Sequence, residues 1–369
     1  MARKLQSDKW LFLATLALIC TSIVMVYSAS AVMALERFQQ PYLFVTKQVM
    51  WVALGVALMS IVMRVDYRTY RDDRLVWALV GGVGFLLVAV LFGPERNGTN
   101  RWFGIGGFGI QPSELAKVAA IFFTALVLER RASRINEISY SLAPIAIIVG
   151  GMVGLILLEP DFGTAVTLLA VVAVMVFTAG LGYRYLVGAA LMMVPLLAIV
   201  LIQAPYRVRR LLSFLDPWAD PLGEGFQIIQ SLLAVGTGGV TGTGLMGSRQ
   251  KLFYLPEPHT DFIYAVIAEE TGLIGAVVVL ACFGIIGWRG MRTAFRAPDG
   301  FGAYLAIGLT MMLVLQALVN ISVVLGLAPT KGIPLPLVSA GGSSLLVSLV
   351  GIGVLLNISQ HATAETGAA

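Results

Sequence analysis

The chain has 369 residues, of which 58% are hydrophobic and only 12% charged, with 25 Lys and Arg against 20 Asp and Glu for a formal net charge of +5. A soluble domain carries about twice that share of charge, so a water-soluble enzyme or a nucleic-acid-binding module is excluded. Apolar runs of about 18 to 25 residues recur, each able to cross about 30 Å of hydrocarbon as a helix, and the alternation of a barrel strand is absent. The composition therefore predicts an all-α polytopic membrane protein.

A basic leader containing Arg3, Lys4 and Lys9 precedes the first apolar run, Trp10 to Met33. That run is too long for a signal-peptide core and no small-residue cleavage site follows it, so it is read as a retained spanning helix. Ten spans are predicted, near 10–33, 43–63, 75–92, 113–129, 141–158, 162–181, 185–203, 262–288, 303–327 and 341–358. The short loops after spans two, four and eight carry Arg64, Arg68, Arg71 and Arg74, then Arg130, Arg131 and Arg134, then Arg289, Arg292 and Arg296. The short loops on the other side carry only Arg37, Arg96, Arg101 and Lys331. Excess basic charge marks the cytoplasmic side, which places both termini there. The chain is read as a single transmembrane domain over 1–369, with a large extracytoplasmic loop, 204–261, between spans seven and eight and a short cytoplasmic tail, 359–369. Within the large loop, "RLLSFLDPW" and "FQIIQSLLAVG" have amphipathic helical spacing and are expected at the membrane surface. The tail "HATAETGAA" is expected to be disordered. Cys20 and Cys282 fall inside apolar runs and are expected as buried side chains rather than a disulfide or a metal pair.

Nearly every unusual polar residue falls on the outer face. In "GTNRWFGIGGFGIQPSELAKVA", Gly98 to Ala119, Pro112 and Ser113 mark a helix start. Glu114 and Lys117 then lie at i and i+3, the spacing of a local ion pair. In "LLEPDFGTAV", Leu157 to Val166, Glu159 and Asp161 flank Pro160. The two acids are spaced either to bind a cation or to form a solvated turn. Arg207, Arg209 and Arg210 open the large loop as a basic knot, suited to lipid headgroups or to a pyrophosphate.

"YLPEPHTDFIYAVIAEETG", Tyr254 to Gly272, gathers Glu257, His259, Asp261, Glu269 and Glu270. Pro256 and Pro258 hold its approach extended, and Thr260 is the expected N-cap with Asp261 in the first helical turn. Asp261 then either helps to start a helix or serves function, since ionisable groups at a membrane boundary are costly. Gly272 is the expected break in the helix, with at least one of Glu269 and Glu270 facing a polar cavity or a basic partner. In "APTKGIPLPLVSAGGSSLL", Ala328 to Leu346, Pro334, Pro336, Gly341 and Gly342 prevent a continuous helix, and Lys331 is the only charge. Non-helical backbone at membrane depth is tolerated where it is buried or lines a cavity. Ser339, Ser343, Ser344 and the glycines allow close helix packing, or a polar cradle for an anionic headgroup reinforced by Lys331.

"QPSELAK", "PDFGTA", "YRVRRLLSFLDPWADPLGEGFQIIQSLLAVGTGG", "LPEPHTDFIYAVIAEE" and "PTKGIPLPLVSAGGSSL", in this order and at these spacings, resemble the SEDS family of bacterial wall synthesis, the FtsW/RodA-like proteins. "PTKG", "RVRRLLSFLDPW" and "GSRQKLFYLPE" are more similar to the division branch, FtsW, than to the elongation branch, RodA. The resemblance covers nearly the whole chain. It implies a peptidoglycan glycosyltransferase that polymerises lipid II at the outer leaflet of the bacterial cytoplasmic membrane, for septal wall synthesis. The family's essential aspartate falls on Asp261, with general base as its implied role. Lys331, Arg209, Arg210 or a divalent cation (Mg or Mn) would supply positive charge to the leaving pyrophosphate. The rest of the implied substrate-binding set is Arg101, Glu114, Glu159, Asp161, Glu257, His259, Ser339, Gly341, Gly342 and Ser343.

Membrane lipids, a class B penicillin-binding transpeptidase and other division proteins are the implied partners, with no nucleic acid. Phe253, Asn100 and Ala340 depart from residues common in the family. Phe253 removes a glutamate that could pair with Lys331, which makes Asp261 or Glu257 the expected substitute. The competing readings are a lipid II flippase, since broken helices also suit translocation, and a recruiting scaffold, which has no need of ionisable groups near the bilayer.

Overall fold

The computed structural model describes residues 7–93, 99–105, 108–185, a few positions from 187 to 195, and 205–365. Arg96 and most of the predicted span 185–203 lie outside the described residues. The helices are α1 (Lys9–Phe38), α2 (Leu43–Val62), α3 (Asp73–Leu91), α4 (Pro112–Arg131), α5 (Ala143–Leu158), α6 (Phe162–Thr178), α7 (Pro205–Leu215), α8 (Phe226–Gly238), α9 (Ile263–Phe295), α10 (Gly300–Val324) and α11 (Gly342–Glu365). A short antiparallel hairpin, β1 (Phe103–Ile105) with β2 (Phe108–Ile110), leads into α4.

Among the described residues seven helical stretches are long and apolar enough to cross a membrane. They coincide with seven of the ten predicted spans. The predicted spans at 113–129 and 162–181 appear as α4, whose charges lower its hydropathy, and as α6, which is shorter.

Short polar side chains start the helices by satisfying their first N–H groups. Asp8 Oδ1 accepts from the Trp10 and Leu11 amides, both at 3.1 Å. Asp161 Oδ1 accepts from Thr164 N at 3.1 Å at the start of α6, and Asp299 Oδ1 from Gly302 N at 2.7 Å at the start of α10. Pro112 takes the first turn of α4, where its missing N–H costs nothing. The centre of the molecule is α4, α10 and α11, which bury residues on nearly every face and pack against one another.

α9 is broken at Gly272, which has φ 67° and ψ −165°. A Cβ there would stand 2.4 Å from Gly242 N and from Val240 O, so only glycine fits. The loop after α8 crosses the break and takes up the freed backbone groups. Thr243 N donates to Glu269 O at 2.9 Å, Gly244 N to Glu270 O at 3.0 Å, and Leu273 N to Gly239 O at 2.9 Å. Glu270 receives Ser28 and Lys251 Nζ, the latter at 2.7 Å, while Glu269 receives Ser248 Oγ and the Arg249 amide. Glu270 thus has the expected basic partner, while Glu269 is held by a hydroxyl and a backbone amide. α8 is not merely a surface helix: it buries Ile228, Ile229 and Ser231 against its neighbours, and Ser231 Oγ donates to Val324 O at 2.7 Å.

The two ends of the bundle differ in kind. One end is stitched by ion pairs and charge-assisted bonds, namely Asp8 to Arg289, Arg71 to Glu129, Arg130 to Asp73 and Tyr67 Oη to Asp299. Two expectations are corrected there and on the helix surface. α11 continues to Glu365, so the tail starts as helix, with His361 bonding to Asn357 O and pairing with Asp66 and with Ala362 buried; residues 366–369 lie outside the described residues. Cys20 is exposed on the outside of α1, whereas Cys282 is buried, and both are free.

Candidate active site

Four chain segments meet at the opposite end: the start of α4, the turn between α5 and α6, the approach to α9, and the non-helical stretch before α11. Asp261 lies two residues before α9 begins, in a turn rather than in the first helical turn, and Thr260 Oγ1 donates to Glu257 O at 3.3 Å instead of capping the helix. Asn320, on α10, donates from Nδ2 to Asp261 O at 2.8 Å and to Ile333 O at 2.7 Å, tying the aspartate's backbone to the Lys331 loop. Ser339 Oγ donates to Thr260 O at 2.6 Å and accepts from Leu335 N at 2.8 Å, while Ala340 N donates to His259 O at 2.9 Å. From below, Ser22 Oγ donates to Val338 O at 2.8 Å, and Gln48 Nε2 to Ser339 O at 3.3 Å. The broken segment is thus a rigid floor under Asp261.

Asp161 is buried and receives Gln111 Nε2 at 2.9 Å, Thr164 Oγ1 at 2.8 Å and Ser113 Oγ at 3.4 Å. Glu159 is 1% exposed, and neither of its oxygens has a hydrogen-bond partner. The solvated turn is therefore ruled out. Arg101 binds the backbone here, Nε to Glu159 O at 2.8 Å and Nη2 to Pro160 O at 3.0 Å. Lys331 Nζ hangs 4.2 Å above the centre of the Phe162 ring. Among the described residues no carboxylate oxygen lies within 4 Å of it, so neither Asp261 nor Glu257 replaces the partner missing at Phe253. Glu114 is not open to a ligand: Lys117 Nζ holds it at 2.9 Å and donates to Gln316 Oε1 at 2.6 Å, and Gln316 Nε2 in turn donates to Pro334 O at 3.0 Å.

The remaining expected residues fall into place around this core. Glu257 is exposed and His259 buried, its ring 4.6 Å from that of Phe44. Ser343 Oγ accepts from Gln111 N at 3.3 Å. Gly342 is a packing glycine, since a Cβ would stand 2.1 Å from the Trp51 ring; Gly341 has more room. Arg209 is exposed, Arg210 lies 3.5 Å from Glu224, and the Arg207 side chain is outside the described residues. Gln111, Gln316, Asn320 and Phe162 were not anticipated, although two amides four residues apart in an apolar span are the kind of costly polar group that marks a site.

The electrostatics follow from crowding of carboxylates in a poorly hydrated place. Burial, then the charges of Glu257 and Asp161, push the Asp261 carboxyl up to about 7, with Arg210 opposing. Burial and Asp161 push Glu159 up to about 8 against the pull of Arg101. Burial lowers His259 and also Lys331, which Asp161 partly restores. A carboxyl poised near neutrality can exchange a proton with a hydroxyl, and Lys331 on the adjoining loop can face an anionic leaving group. A divalent cation finds no ready cage: Asp161 is filled by its donors, and among the described residues no group of three or more His, Cys, Asp and Glu side chains is placed to hold a metal.

The model of the FtsW, RodA and SpoVE family, described as cell cycle protein, matches residues 9–364. A probable peptidoglycan glycosyltransferase FtsW from Geobacter sp. (strain M18) is 44% identical over 359 residues, covering 96% of this chain and 97% of its own. The stage V sporulation protein E of Bacillus subtilis (strain 168) is 43% identical over 363 residues, covering 97% and 98%. A chain of a peptidoglycan synthase complex, solved for the structural coordination of polymerization and crosslinking, superposes with a TM-score of 0.81 at 32% identity, covering 97% of this chain and 99% of that one.

Proposed function

This chain belongs to the FtsW, RodA and SpoVE family of cell cycle proteins, and from that premise we propose how its site works. The protein is a peptidoglycan glycosyltransferase of the septal type, and its substrate on this reading is lipid II. Asp261 is the general base. It takes the proton from the 4-hydroxyl of an N-acetylglucosamine as that oxygen bonds to the anomeric carbon of an N-acetylmuramic acid on a second lipid. The bond from that carbon to the undecaprenyl pyrophosphate breaks with inversion, and the pyrophosphate departs with the electron pair.

The observation that carries this reading is the placement of Asp261: a carboxyl with a pKa near 7, fixed through its backbone by Asn320 and bordered by the Lys331 loop. A base works best with a pKa close to the working pH, and proton transfer of this kind is worth about 10²- to 10⁴-fold. Lys331, poorly hydrated above Phe162, is the first choice to meet the pyrophosphate, with Arg210 and Arg209 nearer the opening. Arg101, Asp161, Ser339, Gly342, Ser343 and Glu114 act at one remove, holding the four segments in register, with the backbone carbonyl of Glu159 as the anchor for Arg101.

The basic end of the bundle faces the cytoplasm and the site opens outward, in the cytoplasmic membrane. A class B transpeptidase and other division proteins are the partners this assignment calls for. A flippase is not favoured, because the curated relatives that match nearly the whole chain are named peptidoglycan glycosyltransferases. The test is to incubate the purified protein and its transpeptidase partner with lipid II and resolve the products on a gel. A glycan ladder supports the assignment. No ladder from a folded, associated pair, together with lipid II movement across vesicles, would replace it with transport.

A further inference from the structure

At the end of the molecule opposite Asp261, the start of α1 and the last turns of α9 and α11 enclose a cleft of about 400 Å³. Lys9, Arg289, Arg292 and Arg296 line it, against a single acid among the described residues, Asp8. Asp8 is already committed. One oxygen caps α1, and the other accepts from Arg289 Nε at 2.6 Å. Among the described residues, neither Arg292 nor Arg296 has a carboxylate oxygen within 4 Å. Four cations and one carboxylate leave three positive charges. Two helix C-termini and one N-terminus together contribute only about −0.5, so among the described residues roughly +2.5 is left over inside one cleft. That exceeds what the helix dipoles need.

The flanks of the cleft are apolar and exposed: Trp10 at 60%, Trp288 at 66% and Phe295 at 81%. Tryptophans at the ends of spanning helices sit at the headgroup level of a bilayer. A ligand that meets both features has a phosphate for the arginines and hydrocarbon for the flanking rings.

We propose that this cleft is a binding site for the phosphate headgroup of an anionic phospholipid, clamped between the starts and ends of three helices. Arg292 and Arg296 hold the phosphate, Lys9 closes over it, and Arg289 fixes the wall through Asp8. The hydroxyl of Ser359, which accepts from Asp8 N at 3.1 Å, ties α11 to the same wall. Occupancy therefore joins the N-terminus of α1 to the C-terminal ends of α9 and α11. The site is independent of the chemistry at the other end of the molecule.

The test is native mass spectrometry of the full-length protein in detergent, titrated with phosphatidylglycerol or phosphatidylcholine. One phosphatidylglycerol should stay bound in preference to phosphatidylcholine, and Arg292→Gln with Arg296→Gln should cut its retention about 10- to 30-fold, by analogy with two cations lost at an anionic surface. The charge-keeping pair Arg292→Lys with Arg296→Lys should retain most of it, which separates lost charge from lost fold. Equal retention by the wild type and the glutamine variant would overturn the site. Equal retention of the two lipids would overturn its anionic selectivity. Displacement of the bound lipid by millimolar inorganic phosphate would make it a free-anion site instead.

Discussion

Asp261 Oδ2 stands 3.0 Å from the place a Cβ would take on Gly332, so the carboxylate rests directly against the backbone of the Lys331 loop. Adding one methyl there leaves the carboxylate the part that must move. Gly332→Ala is therefore expected to slow lipid II polymerisation by 10-fold or more while leaving the melting temperature within a few degrees of wild type. The carboxylate must give by a few tenths of an ångström, and since a displacement of about 1 Å at a reacting group costs about 10²-fold, a smaller one is expected to cost about tenfold. Unchanged polymerisation would mean that the position of Asp261 is not what the loop controls.

The polymerisation rate should follow the ionisation of Asp261. Because its carboxyl is raised to about 7, the base is protonated below that pH, so the rate should fall about tenfold per unit of acidification there and level off above it. Glu257 contributes to the rise, so Glu257→Gln should move the midpoint of the rate profile downward. The same shift has a stability cost of opposite sense to an ordinary ion-paired aspartate. The folded protein binds this proton more tightly than the unfolded chain, so stability is lost as pH rises from the usual carboxylate range through 7. Asp261→Asn should accordingly melt higher than wild type at pH 8, with the gap closing toward pH 5.

Asn320 is a positioning residue. Its amide nitrogen makes two bonds, one part-buried to Asp261 O and one buried to Ile333 O, each worth about 1 kcal/mol with a further penalty for a buried carbonyl left unpaired. Asn320→Leu should lower the polymerisation kcat at least tenfold with KM for lipid II nearly unchanged. It should also move the pH midpoint as Asp261 shifts. A rise in KM alone would assign the residue to binding.

Lys251 and Glu270 form an ion pair at 2.7 Å with both side chains almost fully buried, next to the break at Gly272. Removing one partner strands the other charge, which costs about 3 to 5 kcal/mol, whereas replacing both by apolar residues of similar size is often close to neutral. Lys251→Met should thus destabilise the protein far more than Lys251→Met combined with Glu270→Leu. Thermal melting of the two variants beside wild type checks this, and equal losses would show that the pair is not coupled.

The spans and the carboxylates at the site were legible because each rests on a local cost: apolar runs long enough to cross hydrocarbon, and acids too expensive to bury without a use. Gly272 and the broken stretch from Ala328 were readable for the same reason, since glycine and proline act on the backbone where they stand. What the sequence could not disclose was pairing across distance. Lys117 reaching Gln316, Asn320 gripping Asp261, and Lys331 settling over Phe162 join residues far apart in the chain, and no periodicity encodes them. The start of the tail was not legible as helix because polarity alone suggests disorder, while the contacts that hold His361 come from Asn357 and Asp66.

The most direct measurement of the central claim is the rate of lipid II polymerisation by Asp261→Asn beside wild type, each with the transpeptidase partner bound. Loss of the carboxylate should reduce the rate by at least 10²-fold while binding of lipid II and of the partner is kept. A glycan ladder of normal intensity from Asp261→Asn would remove Asp261 from the chemistry and contradict this account.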